Sequence, residues 1–273
     1  MIGDWTMEAL RRTRTVGLIG MMLVLSTGIL WTGTAEARKP ARGKARKAAA
    51  HGKMDVLRFM PDDCKMLGSV NFAAVRSSAL VEQLSGGRAS DAAWTAAVEK
   101  QFGRGPDLID TISFGVTCLE KPGKEYGLAY VAVLTLGKPT TAQTVLQTLA
   151  KHSPYPWKTE KVGDFELQVR QAGEPLALCS VAPQTVVLGT ADLVRAVLAR
   201  STPAVLSAEL AGAREQLDSS RALSIAISVK YLLKATEEIA VLPDEILDGL
   251  ETAVIHLDLD RPLRLQCAVA CVD

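Results

Sequence analysis

Aromatic residues are scarce, at 5% of the 273 positions, and two of the four tryptophans, Trp5 and Trp31, fall in an N-terminal leader. Only Trp94 and Trp157 remain beyond it, which supplies poorly the stacking platforms that hold sugars or single-stranded nucleic acid. Histidine is rarer still. Beyond residue 53 only His152 and His256 could serve a Ser-His-Asp apparatus, and no serine sits in a Gly-x-Ser-x-Gly elbow. No two cysteines are spaced Cys-x-x-Cys, which removes the usual redox and zinc signatures. The five cysteines are Cys64, Cys118, Cys179, Cys267 and Cys271, an odd number that leaves at least one unpaired in an exported monomer. The last four lie in apolar, strand-like runs, where a thiol is expected to act as a small core residue.

Other constellations are incomplete. Asp62-Asp63 and Glu237-Glu238 are adjacent rather than facing, so they read as a turn and a solvated helix face, not a two-carboxylate hydrolase. Gly137-Lys138-Pro139 resembles the end of a phosphate loop, but Ala132 and Pro139 stand where that loop needs Gly and Ser or Thr. One alternating set has ligand chemistry: His256, Asp258 and Asp260 would share a strand face and offer a metal one imidazole and two carboxylates. The plainer reading, a solvated face opposite Ile255, Leu257 and Leu259, is preferred, and no cofactor is expected.

What is present begins with a leader. Arg11, Arg12 and Arg14 precede an uncharged, largely apolar run from Val16 to Trp31, and Ala35-Glu36-Ala37 forms a small-x-small cleavage site. That run falls short of the ~20 residues of a comfortable membrane span, so residues 1–37 read as a signal peptide cleaved after Ala37, with a retained anchor as the alternative. Residues 38–53 follow as a basic, flexible linker carrying Arg38, Lys39, Arg42, Lys44, Arg46, Lys47 and Lys53 and no acid. Such an arm would be attracted to an anionic membrane or wall surface, more weakly as salt rises. The alternative is a plain spacer. From residue 54 onward 27 acids outnumber 21 cations, so a basic arm precedes an acidic body. Nucleic acid is not an expected partner.

The body reads as α+β: antiparallel sheet with helices packed on one face, in two related strand-helix-strand-strand units, 54–200 and 201–273. A turn at Pro61-Asp62-Asp63 leads to a strand over Met66 to Val75 and a helix from about Ser77; a further helix is expected over Asp91 to Phe102. Leu108 to Leu119 and Gly127 to Leu136 form a hairpin about Pro122-Gly123. A helix over Thr140 to Ala150 and a loop over Ser153 to Trp157 precede short strands at Phe165 to Arg170, Leu176 to Val181 and Thr185 to Leu188. A helix over Asp192 to Arg200 closes the first unit. The second has helices over Ser207 to Leu217, Tyr231 to Ala240 and Glu245 to Leu250, and strands over Leu223 to Val229, Ala253 to Leu259 and Leu263 to Val272. The last strand is expected to bury Leu263, Leu265, Cys267, Val269 and Cys271 in a core with Ile225, Ile227, Ile255, Leu257 and the helix positions Leu232 and Leu233.

Met60-Pro61-Asp62-Asp63 followed by Ser69-Val70-Asn71 resembles the opening of a family of uncharacterised exported bacterial proteins, with Met60 where that opening has Leu. Val186 to Leu198 (VVLGTADLVRAVL) is similar to a later segment of the same family. The resemblance implies an exported α+β protein and carries no established activity. The function expected is an exported, envelope-associated, non-catalytic binding or structural protein with an unidentified ligand or protein partner. A small-molecule or lipid carrier is the alternative, and a hydrolase the third.

Overall fold

The computed structural model describes residues 55–78, 109–120, 126–137, 144, 147, 155–173, 175–229, 250–259 and 264–271. Their strands are β1 Met66–Asn71, β2 Ile109–Glu120, β3 Tyr126–Leu136, β4 Trp157–Val162, β5 Phe165–Arg170, β6 Leu176–Ala182, β7 Thr185–Thr190, β8 Leu223–Ser228, β9 Leu250–Asp258 and β10 Arg264–Cys271. All pair antiparallel in one sheet, ordered β10-β9-β8-β1-β2-β3-β7-β6-β5-β4. The described helices are few and short: α1 Phe72–Ser77, α2 Ala191–Ala199 and α3 Ala208–Glu215, with a 3-10 turn at Val56–Phe59. The architecture is therefore mostly sheet.

The sheet is laid out around β1 and β8. Gly68 faces Ile225, with Met66 opposite Ile227 and Val70 opposite Leu223. Outward from Met66 lie Val116 and then Tyr130; outward from Leu223 lie Leu257 and then Leu265. The segments before and after Arg200 to Pro203 thus contribute to one continuous sheet, and β1 and β8 join them.

Successive strand residues point to opposite faces, and both faces of the central strands are buried. On one face Leu67, Val131, Val133, Leu167, Val187, Ala226 and Val254 share a core with Val194, Val197 and Leu198 of α2, Leu210 and Ala213 of α3, and Phe59. On the other, Phe114, Ala132, Leu134, Leu178 and Val186 form a second cluster. Each fully buried aliphatic side chain contributes roughly 1.5–3 kcal/mol. Burial on both faces explains why β3 reads as an unbroken apolar run rather than an alternation. Two glycines allow close packing there. A Cβ on Gly68 would lie 2.5 Å from the Phe114 ring, and one on Gly115 would lie 2.7 Å from Cys64 Sγ and 2.9 Å from Met60 Sδ. The segment Met60 to Cys64 sits in the space that Gly115 leaves open.

Several expectations need correction. The first strand ends at Asn71, not Val75, because the Asn71 side chain accepts the Ala74 N–H at 2.9 Å and caps α1. Ser77 and Ser78 end that helix instead of starting one, and Leu80 to Leu84 and Asp91 to Phe102 lie outside the described residues. Trp157 to Val162 is not the end of a loop but strand β4, paired with β5 along its whole length. Of the Thr140 to Ala150 helix only Thr144 and Gln147 are described, both helical. The expected helix Tyr231 to Ala240 is outside the described residues, and Leu250, read as helical, opens β9. Finally, β10 forms as a strand over Arg264–Cys271, but every one of its residues is exposed, because it is the edge strand and no described element covers it.

Candidate ligand-binding cleft

A cavity of about 560 Å³ opens between the sheet, the 3-10 turn and the C-terminal end of α3. Its floor carries Leu67, Ser69, Thr111, Ser113 and Thr135, all on the face that carries Val131 and Val133. Register brings the hydroxyls together. Ser69 lies opposite Ser113 in β1 and β2, and Thr111 lies opposite Thr135 in β2 and β3. Among the described residues, no hydrogen bond engages these four hydroxyl side chains. Ser69 is buried and the other three are half-buried, so a ligand would meet donors and acceptors that lack protein partners. Val56, Leu57, Met60 and Leu217 supply apolar walls, and the exposed Asp55 and Arg214 stand on the rim.

The surrounding segments are held in place by polar ties. Arg200, at the end of α2, donates to the carbonyls of Leu57, Arg58 and Met60 and pairs with Asp62. Asp62 also accepts the Val205 N–H at 2.9 Å, so the Pro-Asp-Asp turn fixes the wall that carries Val56 to Met60. At the other end Asn71 donates to the carbonyl of Ser219 at 3.0 Å. Asp218 accepts from the Ser220 hydroxyl and backbone N–H, which with Arg221 holds its carboxyl below the usual carboxylate range.

The residues singled out from sequence lie elsewhere. His256 Nδ1 is 2.9 Å from Ser224 Oγ, a cross-strand pair between β8 and β9. Ser224 is fully buried, accepts the Asp218 N–H at 3.0 Å and does not line the cleft. This serine and histidine thus make a cross-strand link outside the cleft lining. Asp258 is engaged by Arg221 at 2.9 Å rather than by His256. Among the described residues no three His, Cys, Asp or Glu side chains gather as a metal set, and Asp260 lies outside them. Arg38, Lys39, Arg42, Lys44, Arg46, Lys47 and Lys53 also lie outside the described residues.

The cysteines divide differently from expectation. Cys64 and Cys179 are buried, and desolvation pushes their thiols up to about 12 and about 11. Cys267 and Cys271, expected in a core, are exposed on the edge strand. The hydroxyl floor was missed in the sequence. Its signal was the alternation Thr111-Ile112-Ser113-Phe114, which puts polar side chains on the face that is apolar farther along β3. No family model, curated protein or solved structure matches the chain.

Proposed function

We propose that this chain is an exported, non-catalytic binding protein of the cell envelope that holds a small, uncharged, amphipathic molecule in the cleft. The observation that carries the reading is the floor of four hydroxyls, without hydrogen-bond partners among the described residues, beneath apolar walls in a cavity of about 560 Å³. That size suits a single small ligand. Hydroxyls both donate and accept, so they favour a ligand with hydroxyl, ether or amide groups, while Leu57, Met60, Leu67 and Leu217 favour an apolar portion. The described cleft lining offers no imidazole, thiol or buried carboxylate to drive a reaction, which favours binding over hydrolysis. Apolar walls also favour the related reading of a small-molecule or lipid carrier.

Export, membership of the exported family described above, and attachment to an anionic surface through residues 38–53 belong to the same proposal. They rest on the leader, on the Pro-Asp-Asp and Val-Val-Leu-Gly-Thr segments, and on the basic arm. So does the finer architecture, a helical layer on one face and two related units about β1 and β8. The order of strands on the two sides of that pair supports it. The test is native mass spectrometry of protein purified without denaturant from its own envelope fraction. A bound small molecule is expected on the wild type and absent from Ser113→Trp, which fills the floor, with the two proteins melting alike. An unliganded wild type, or a ligand retained by a folded Ser113→Trp, would contradict the reading.

A further inference from the structure

The edge formed by β10 differs from the other edge of the sheet. Natural edges are ordinarily guarded by charge, and β4 obeys this with Lys158, Glu160 and Lys161 in six residues. In β10 the only charge is Arg264, at its first position, and all eight residues are exposed, Leu265 at 70% and Val269 at 48%. The register places Leu265, Cys267 and Val269 on the same face as Leu257, Ile255 and Ala253, and strand alternation adds Cys271, so an uncharged row lies open to solvent.

The backbone of that edge is also available. Ser228 donates to the carbonyl of Lys65 and Asn71 to that of Ala222, so even-numbered residues of β8 bond towards β1. Carrying the alternation through the pairs Ile225 with Ile255 and Val254 with Ala268 turns the N–H and C=O groups of Leu265, Cys267 and Val269 away from β9. Position in the sheet adds a third argument. On the far side of the β1 and β8 pair, β3 holds the place that matches β10, and its outer edge is covered antiparallel by β7. Among the described residues nothing covers β10.

We propose that a second copy of this chain covers it, β10 pairing antiparallel with β10 of the partner about a two-fold axis at Val269. A second copy fits because the strand is complementary to itself. About that axis Val269 meets its own copy, Cys267 meets Cys271 and Ala268 meets Ala270, so the uncharged residues 267–271 of the two strands face one another. The two copies of Arg264 fall about ten residues apart along the ladder, roughly 34 Å, so the like charges do not meet. The same register sets Cys267 opposite the partner's Cys271. Directly opposed residues of this kind have Cα atoms about 5.5 Å apart, within the ~4.4–6.8 Å that a disulfide spans.

The experiment uses the chain from Arg38 to Asp273, first reduced, in sedimentation equilibrium. A concentration-dependent dimer is expected, with Val269→Lys, which places two cations at the axis, weakening it at least tenfold while its circular dichroism stays that of the wild type. Oxidised glutathione then traps the register. The Cys267 thiol and the partner's Cys271 thiol lose two protons and two electrons to form one S–S bond, and the oxidant becomes two reduced glutathione molecules. Peptide mapping of the dimer should recover Cys267 joined to Cys271 between chains, and Cys267→Ser with Cys271→Ser should dimerise without being trapped. A wild type that stays monomeric overturns the proposal. So does a dimer indifferent to Val269→Lys, or a bond between two copies of Cys267.

Discussion

Arg200 has 17% of its side chain exposed and reaches three carbonyls and one carboxylate of the segment Leu57 to Asp62. Arg195 has 38% exposed and pairs with Glu160, whose side chain is 31% exposed. Removing a screened pair costs little, whereas removing Arg200 leaves several polar groups poorly satisfied. Arg200→Ala should therefore lower the unfolding free energy by about 2–4 kcal/mol, and Arg195→Ala by at most about 1 kcal/mol. Urea titration of both variants checks the difference, and equal losses would count against the clasp. Thiol chemistry gives a second check. Cys64 and Cys179, raised from 9.0 to about 12 and about 11, keep their protons in the folded state. Their stabilisation is intact below about pH 9 and is lost as pH rises towards those values. Iodoacetamide at about pH 8 should modify Cys267 and Cys271 and spare Cys64 and Cys179, as read by mass spectrometry of the reduced protein. Asp62 was legible as part of a turn, but nothing local in the sequence names a partner 138 positions away.

Among elements, those whose patterning is set locally were the legible ones. The β2 and β3 hairpin, α2 and the Ser207-capped α3 fall within a residue or two of their sequence boundaries, since each carries its own turn, cap or apolar run. β4 was hidden because Lys158, Thr159, Glu160 and Lys161 look like loop residues, and charge on an edge strand imitates a loop. The helix start was misplaced because Asn71 acts both as the last residue of β1 and as the cap of α1. That double role makes Asn71→Ala informative. It removes the cap and the tie to Ser219, and should cost about 1–2 kcal/mol in a denaturant titration. The edge position of β10 reverses another expectation. Among the described residues, truncation after Leu259 removes only exposed side chains, so limited proteolysis should find Leu223 to Ser228 as protected as in the intact chain. Rapid cleavage there would mean that β10 supports the core.

At the scale of the molecule, one sheet draws strands from both halves of the chain, and the cleft arises where β1, β2, β3, the 3-10 turn and α3 meet. Sequence could show the antiparallel class and the polar alternation in β2, but not that four hydroxyls on three strands share one floor. That follows from long-range register, which no local pattern specifies. The proposed attachment through the basic arm has its own test. Deleting residues 38–53 should lower retention on anionic vesicles at low salt without changing the melting of the body. Equal retention would make the arm a spacer. The claim that matters most is that the hydroxyl floor holds the ligand. It is tested by calorimetric titration of the co-purified molecule, once extracted, into emptied wild type and into Ser69→Ala with Ser113→Ala. Each lost hydrogen bond is worth about 0.5–1.5 kcal/mol, so the double variant should bind roughly 5- to 150-fold more weakly, with unchanged melting. Undiminished affinity in the double variant would place the ligand elsewhere and contradict the assignment of this cleft.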